Sequence, residues 1–192
     1  IDIQYFCTPF SLRAAQILRE IGGDAAFKIG SGETEDLPMI EEVARLGKPM
    51  MISTGMTELE EIDLTVSAVQ QFNTPFCLAH CISIYSPKYT HQLQLGVIPL
   101  LQNRYNVYVG LSDHTPPEGV TDKVTGLPIS EETIIWSAIA AGARFVEKHF
   151  TLDRKSPDAD SKFSHDPETL KRLVQSIHAC ETALQAERKV FE

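Results

Sequence analysis

A chain of 192 residues can bury a sizeable core and reads as one domain. Its net charge of −9, with acidic and basic residues interspersed, argues against nucleic acid as a general partner, although an acidic protein can still hold a local basic pocket for an anion. No apolar run reaches membrane-spanning length, no signal-peptide pattern opens the chain, and the four cysteines lie in no CxxC; they read as free thiols of a reducing cytoplasm.

Residues 3–10 (IQYFCTPF) read as a strand running into Thr8-Pro9. Ser11 is suited to cap a helix carrying Leu12, Ala15, Ile17 and Leu18, closed by Gly22-Gly23. Residues 25–29 form a short strand that ends in the small-residue turn Gly30-Ser31-Gly32-Glu33. Asp36 caps the next helix, with Pro38 in its first turn and Gly47 at its end. Residues 50–53 are a strand leading to Thr54-Gly55-Met56. Thr57 with Glu60 makes a capping box for a helix bearing Leu59, Ile62, Val66 and Val69. Residues 76–80 are a strand, 93–101 a weaker helical segment interrupted by Gly96 and Pro99, and 107–111 a strand followed by Ser112, Asp113 and His114. The stretch 115–130 is rich in Pro, Gly, Thr and acid and reads as a loop. Ser130 with Thr133 opens a helix through Trp136 that stops at Gly142, and 145–149 is the last strand. Asp166-Pro167 caps a final helix whose Leu170, Leu173, Val174, Ile177 and Cys180 share one face.

Strand then helix, six times over, requires parallel strands, because each crossover must span a dozen or more residues. The choice lies between a doubly wound sheet and a barrel. No GxGxxG follows a first strand, and polar residues end nearly every strand, as the site loops of a barrel would. The predicted fold is α/β, a TIM (β/α)8-type barrel represented by about six units and short of the roughly 250 residues usual for that fold. The chain opens at Ile1 in what already reads as strand, so the expectation is a piece of a larger protein lacking the first two units.

Two strand ends carry polar residues that an apolar strand does not need: Ser112-Asp113-His114 and Glu147-Lys148-His149. Two imidazoles from neighbouring strand ends can share a divalent metal; the plainer alternative is a pair of hydrogen-bonded histidines at a barrel rim. Lys28 lies in an apolar strand, where an ammonium is costly without an anion; phosphate or carboxylate suits it, with Ser31 and turn N–H groups beside it, unless it snorkels to the barrel mouth. Thr8, Thr54 and Ser112 end neighbouring strands and could offer hydroxyls to the same anion. Glu147 shares a strand face with His149 and is suited to orient water or accept a proton; the alternative is an ion pair with a nearby lysine. Asp160 and Lys162 read as a solvated loop by pattern alone. His91, His165 and His178 read as peripheral, and Phe163 and Trp136 as packing.

Lys28-Ile-Gly-Ser-Gly-Glu33, Ser53-Thr-Gly-Met56 with Glu60-Glu61-Ile62, His80-Cys81 with Tyr85, Ser112-Asp-His-Thr115 and Glu147-Lys-His-Phe-Thr151 occur here in one order. Together they resemble the sialic acid synthase family, which comprises N-acetylneuraminate synthase and its legionaminic and pseudaminic acid relatives. The likeness runs over residues 3–184. The resemblance implies a cytoplasmic barrel enzyme that condenses phosphoenolpyruvate with an N-acetylated amino sugar such as N-acetylmannosamine, releasing phosphate with the help of Mn2+ or Mg2+. It implies His114 and His149 as metal ligands and, with Glu147, as the catalytic residues. It further implies Thr8, Lys28, Ser31 and Ser112 on phosphoenolpyruvate, and Tyr85 and Asp160 on the sugar. Ser83 stands where relatives often carry Asn, and it is taken as a substrate-binding position.

Departures from that pattern shape the remaining expectations. The family's first two βα units and its C-terminal antifreeze-like domain, which completes the site across a homodimer, have no counterpart in these 192 residues. The whole chain is expected to be one partial barrel domain, with 116–129 inserted at the mouth, and to turn over little in isolation. The alternatives are another phosphoenolpyruvate-dependent 3-deoxy sugar acid synthase, or a noncatalytic remnant that docks onto another subunit.

Overall fold

The structure, a computed structural model, describes residues 3–22 and 25–185. Helix α1 (Leu12–Ile21) precedes strand β1 (Phe27–Ile29); α2 (Leu37–Arg45), β2 (Met50–Ser53), α3 (Leu59–Gln70) and β3 (Phe76–Cys81) follow. Then come α4 (Val97–Tyr105), β4 (Val109–Asp113), a hairpin of β5 (Val120–Thr121) and β6 (Pro128–Ile129), α5 (Glu131–Ala140), β7 (Val146–Lys148) and α6 (Pro167–Leu184). Strands β1, β2, β3, β4 and β7 form one all-parallel sheet in that order, the curled half of a TIM-type barrel.

Side-chain alternation divides this sheet into two faces. Ile29, Ile52, Leu78 and Val109 are register partners, and all four are fully buried. They meet Ile40 and Val43 of α2, Val66 and Val69 of α3, Leu101 of α4 and Ile135 of α5 in one continuous core. Burying each such side chain contributes about 1.5–3 kcal/mol, which explains why these short strands hold their register. The opposite, concave face carries Lys28, Ser53, Ser112 and Glu147.

The caps follow the sequence closely. Ser11 Oγ accepts from Ala14 N–H, Asp36 from Met39 N–H, Ser130 from Thr133 N–H and Asp166 from Thr169 N–H. The expected closing residue Gly23 lies outside the described residues. The capping box of α3 is one residue later than expected: Glu58 N–H is met by the Glu61 carboxylate at 2.6 Å, whereas Thr57 turns back to the Thr54 carbonyl.

Three expectations need correction. Residues 3–10 are not a sixth ladder strand: they run extended beside β1, joined by a single Cys7–Phe27 bridge and by the N–H groups of Ala25 and Lys28. Pro9 has no N–H to extend the pairing. The segment expected to be helical at 93–101 is instead a helix four residues further on, because Gly96 starts α4 rather than breaking it and Pro99 fits its first turn. The loop 115–130 contains the β5–β6 hairpin. Among the described residues, no helix is long and apolar enough to cross a membrane.

Candidate active site

A cavity of about 330 Å³ opens at the carboxyl ends of the parallel strands. Thr8, Lys28, Ser31 and Ser112 line it together with Ser83 and Tyr85, as do His114, Glu147 and His149. The sequence-predicted residues thus converge from the 3–10 segment, the turn after β1, and the ends of β3, β4 and β7. Two do not line it. Asp160 is exposed in the loop before α6, with its carboxylate 3.6 Å from His149 Nδ1. Thr54 gives its hydroxyl to the Ala79 carbonyl at 3.2 Å and faces a neighbouring cavity.

The cation side of the cavity is built around Lys28. Its Nζ lies 3.3 Å from Glu147 Oε1, so the carboxylate is the anion that the half-buried ammonium requires. Of the two readings of Glu147, the geometry shows the ion pair with a nearby lysine. One oxygen is in an ion pair, while Oε2 is buried with no hydrogen-bond partner. An unpartnered buried carboxylate oxygen is expensive and is an acceptor in waiting.

Hydroxyls line the adjoining wall. Ser31 Oγ is 2.8 Å from Ser53 Oγ and accepts from Gly55 N–H at 3.1 Å. Ser53 and Gly55 belong to the Ser53-Thr-Gly-Met56 motif, but neither was assigned a role in the site from the sequence. Strand period would have found Ser53, which lies two residues beyond Met51, the register partner of Lys28. Gly55 is required by close approach: a Cβ there would sit 2.5 Å from Ser83 Oγ, 2.8 Å from Cys81 Sγ and 2.9 Å from Ser31 Oγ.

On the far side four rings cluster. His114 and His149 have centroids 5.1 Å apart, Tyr85 lies 4.2 Å from His114, and Phe163 lies 4.9 Å from His149. Phe163, expected as simple packing, is buried against both imidazoles. Burial holds both histidines below the ordinary imidazole range, and for His149 the charge of His114 adds to it. Burial likewise pushes the Tyr85 phenol up. His114 Nδ1 is 3.2 Å from the Ile82 carbonyl. A carbonyl only accepts, so Nδ1 carries the proton and Nε2 keeps its lone pair.

Those donors fit a divalent metal. Two neutral imidazoles, one oriented by a carbonyl and the other near a carboxylate, match the supports that metal-bound histidines use. Among the described residues no group of three or more His, Cys, Asp or Glu could hold a metal ion, so His114 and His149 would leave positions for other ligands.

Residues 1–189 match the sequence profile described as the NeuB family. The N,N'-diacetyllegionaminic acid synthase of Campylobacter jejuni subsp. jejuni is 33% identical over 186 residues, covering 95% of this chain and 51% of that protein. The N-acetylneuraminic acid (sialic acid) synthetase of Leptospira borgpetersenii serovar Hardjo-bovis, solved in complex with citrate, superposes with a TM-score of 0.85 at 29% identity, over 100% of this chain and 61% of that one. A truncated 3-deoxy-D-arabino-heptulosonate 7-phosphate synthase from Thermotoga maritima shares the fold, with a TM-score of 0.75 at 16% identity, over 93% of this chain and 66% of that one. The chain spans about half the length of the curated relatives it matches. Profile, relatives and superposition agree on one assignment: this chain belongs to the NeuB family, whose relatives include sialic, legionaminic and pseudaminic acid synthases.

Proposed function

We propose that the chain supplies the phosphoenolpyruvate- and metal-binding half of a nonulosonic acid synthase. In this reading phosphoenolpyruvate condenses with an N-acetylated amino sugar of the N-acetylmannosamine type. The observation that carries it is one cavity with an anion-binding wall on one side and a paired-imidazole wall on the other.

Lys28, Thr8, Ser31 and Ser112 hold phosphoenolpyruvate, and they supply position rather than bond-making. The incoming anion takes over Lys28, which frees Glu147 from its ion pair. Tyr85 and Ser83 face the sugar, and Asp160 reaches it from the loop beside His149. C3 of phosphoenolpyruvate attacks the open-chain aldehyde carbon with the C2=C3 electron pair, forming the C–C bond and leaving C2 electron-deficient, and the aldehyde oxygen takes up a proton from solvent. Water then adds at C2 and gives a proton to Glu147 Oε2. The bond from C2 to the phosphate oxygen then breaks as the new C2 hydroxyl gives up its proton and becomes the ketone, and phosphate leaves carrying that proton. Mn2+ or Mg2+ on His114 and His149 would act as a Lewis acid on the sugar's carbonyl oxygen.

The same reading makes the whole chain one partial barrel domain with the 116–129 segment inserted at its mouth. It makes the complete enzyme a cytoplasmic homodimer. The four free cysteines suit a reducing compartment.

The test is phosphate release from phosphoenolpyruvate with N-acetylmannosamine and Mn2+, measured on this chain and on a form extended upstream by two βα units. Release by the extended form, abolished in His114→Ala, is the expected result. A folded extended form that releases no phosphate with any N-acetylated amino sugar would overturn the proposal.

A further inference from the structure

Beneath the two imidazoles lies a second polar cluster, on the opposite face of the same strands. Asp113 and Lys148 are register partners, each one residue before a histidine. Their side chains therefore point away from the cavity, toward the helices. Lys148 Nζ lies 2.8 Å from Asp113 Oδ2, 2.6 Å from Glu131 Oε1 and 2.7 Å from the Thr115 carbonyl. The Lys148 side chain is 5% exposed, and Asp113, Glu131 and His165 are buried. Glu131 stands in the first turn of α5, and its Oε1 also meets His165 Nε2 at 2.8 Å. His165, expected to be peripheral, is fully buried. Its backbone N–H donates to the His149 carbonyl at 2.8 Å, and its carbonyl accepts from Thr151 N–H at 2.8 Å.

We infer that Lys148, Glu131, Asp113 and His165 form a positioning hub that sets the separation and orientation of His114 and His149. The hub touches the backbone on both sides of the imidazole pair. Asp113 accepts from Thr115 N–H at 3.1 Å and from its hydroxyl at 2.7 Å, which fixes the turn through His114. His165 fixes His149 from the α6 side, and Glu131 ties both to α5. An ammonium with three oxygen partners uses all three of its donors, so its position is over-determined. A hydrophobic cluster of the same volume would fill this space without directing either strand end. The purpose of the hub, metal ligation, rests on the proposed function; its geometry does not.

The test uses the purified chain with isotope-labelled histidine, read by the ring resonances of His114 and His149. Glu131→Gln preserves shape and removes the shared anion; Lys148→Met is the harsher variant. Ile40→Val, in the α2 core and outside the cavity lining, is the control for lost stability alone. In folded Glu131→Gln the two ring signals are expected to shift and broaden. Mn2+ should then perturb them only at concentrations about ten-fold or more above those effective in the wild type. Ile40→Val should lower the melting midpoint and move neither reading. Ring signals unmoved in folded Glu131→Gln overturn the inference. If Mn2+ leaves the wild-type ring signals untouched, the metal reading fails, and the shifts in the metal-free variants alone decide the positioning role.

Discussion

Two polar regions arise from the same pair of strand ends and differ by one residue in phase. On the cavity side, Glu147 has one oxygen against Lys28 and one with no partner, and Tyr85 and His149 remain partly open to solvent. On the helix side, Lys148 has three oxygen partners, and both of its carboxylates are buried. Although His165 Nδ1 in the same cluster is buried without a partner, the Lys148 ammonium is saturated, and a saturated buried ion holds one geometry, because every departure leaves a charge unpaired in a poor solvent. An under-saturated one stores unmet hydrogen-bonding capacity that a ligand can satisfy. The alternation of a β-strand places the two side by side, so the rigid cluster supports the receptive one.

The contrast can be broken most forcibly at Lys148. Lys148→Met leaves Asp113 and Glu131 without their cation and is expected to cost about 3–5 kcal/mol in chemical denaturation. Glu147→Gln, one residue away, should change stability by less than about 1 kcal/mol, since its pair with Lys28 is partly solvated. Equal losses at the two positions would erase the distinction. At the serine wall, Gly55→Ala pushes a methyl into Ser31, Ser83 and Cys81. It should weaken phosphoenolpyruvate binding about ten-fold or more, equivalent to about 1.4 kcal/mol, in a titration followed by calorimetry. Ser31→Ala removes the acceptor for Gly55 N–H, the hydrogen bond with Ser53 Oγ and a donor toward the ligand, but adds no bulk. A loss of about five-fold, near 1 kcal/mol, is expected in the same titration.

The smallest effect is a pH dependence. Burial holds His80, His114 and His149 below the ordinary imidazole range, so the unfolded chain, titrating near pH 6.5, binds protons that the folded chain resists. Their stabilising contribution is complete above about pH 6.5 and shrinks as pH falls below it. Urea midpoints should therefore be lower at pH 5.5 than at pH 7.5. His80→Gln should lessen that drop, because His80 donates to the Leu93 carbonyl from a buried site outside the cavity. An unchanged drop in His80→Gln would show that His80 contributes nothing to it.

The sequence by itself determined much of the fold and most of the cavity lining. Short apolar runs alternating with capped amphipathic segments imply parallel strands with helices between them. Ser11, Asp36, Ser130 and Asp166 announced four helix starts that the structure realises. Strand-end polar residues at Lys28, Ser112, His114, Glu147 and His149 were legible because a buried strand has no other use for them. Local pattern also misled where pairing mattered: residues 3–10 look like a strand, yet make one bridge.

Only the tertiary structure decided what each polar group faces. Glu147 and Lys148 are adjacent in sequence, yet one meets Lys28 across the cavity and the other meets Glu131 under the helices. His165 and Glu131 lie 34 positions apart and touch only because α5 and the segment before α6 pack on the same strand ends. Phe163 looked like filler and became the ring against which both imidazoles stand. A sequence encodes the period of its strands and helices through nearest neighbours. The partners of a buried charge are set by long-range packing, which nearest neighbours do not specify.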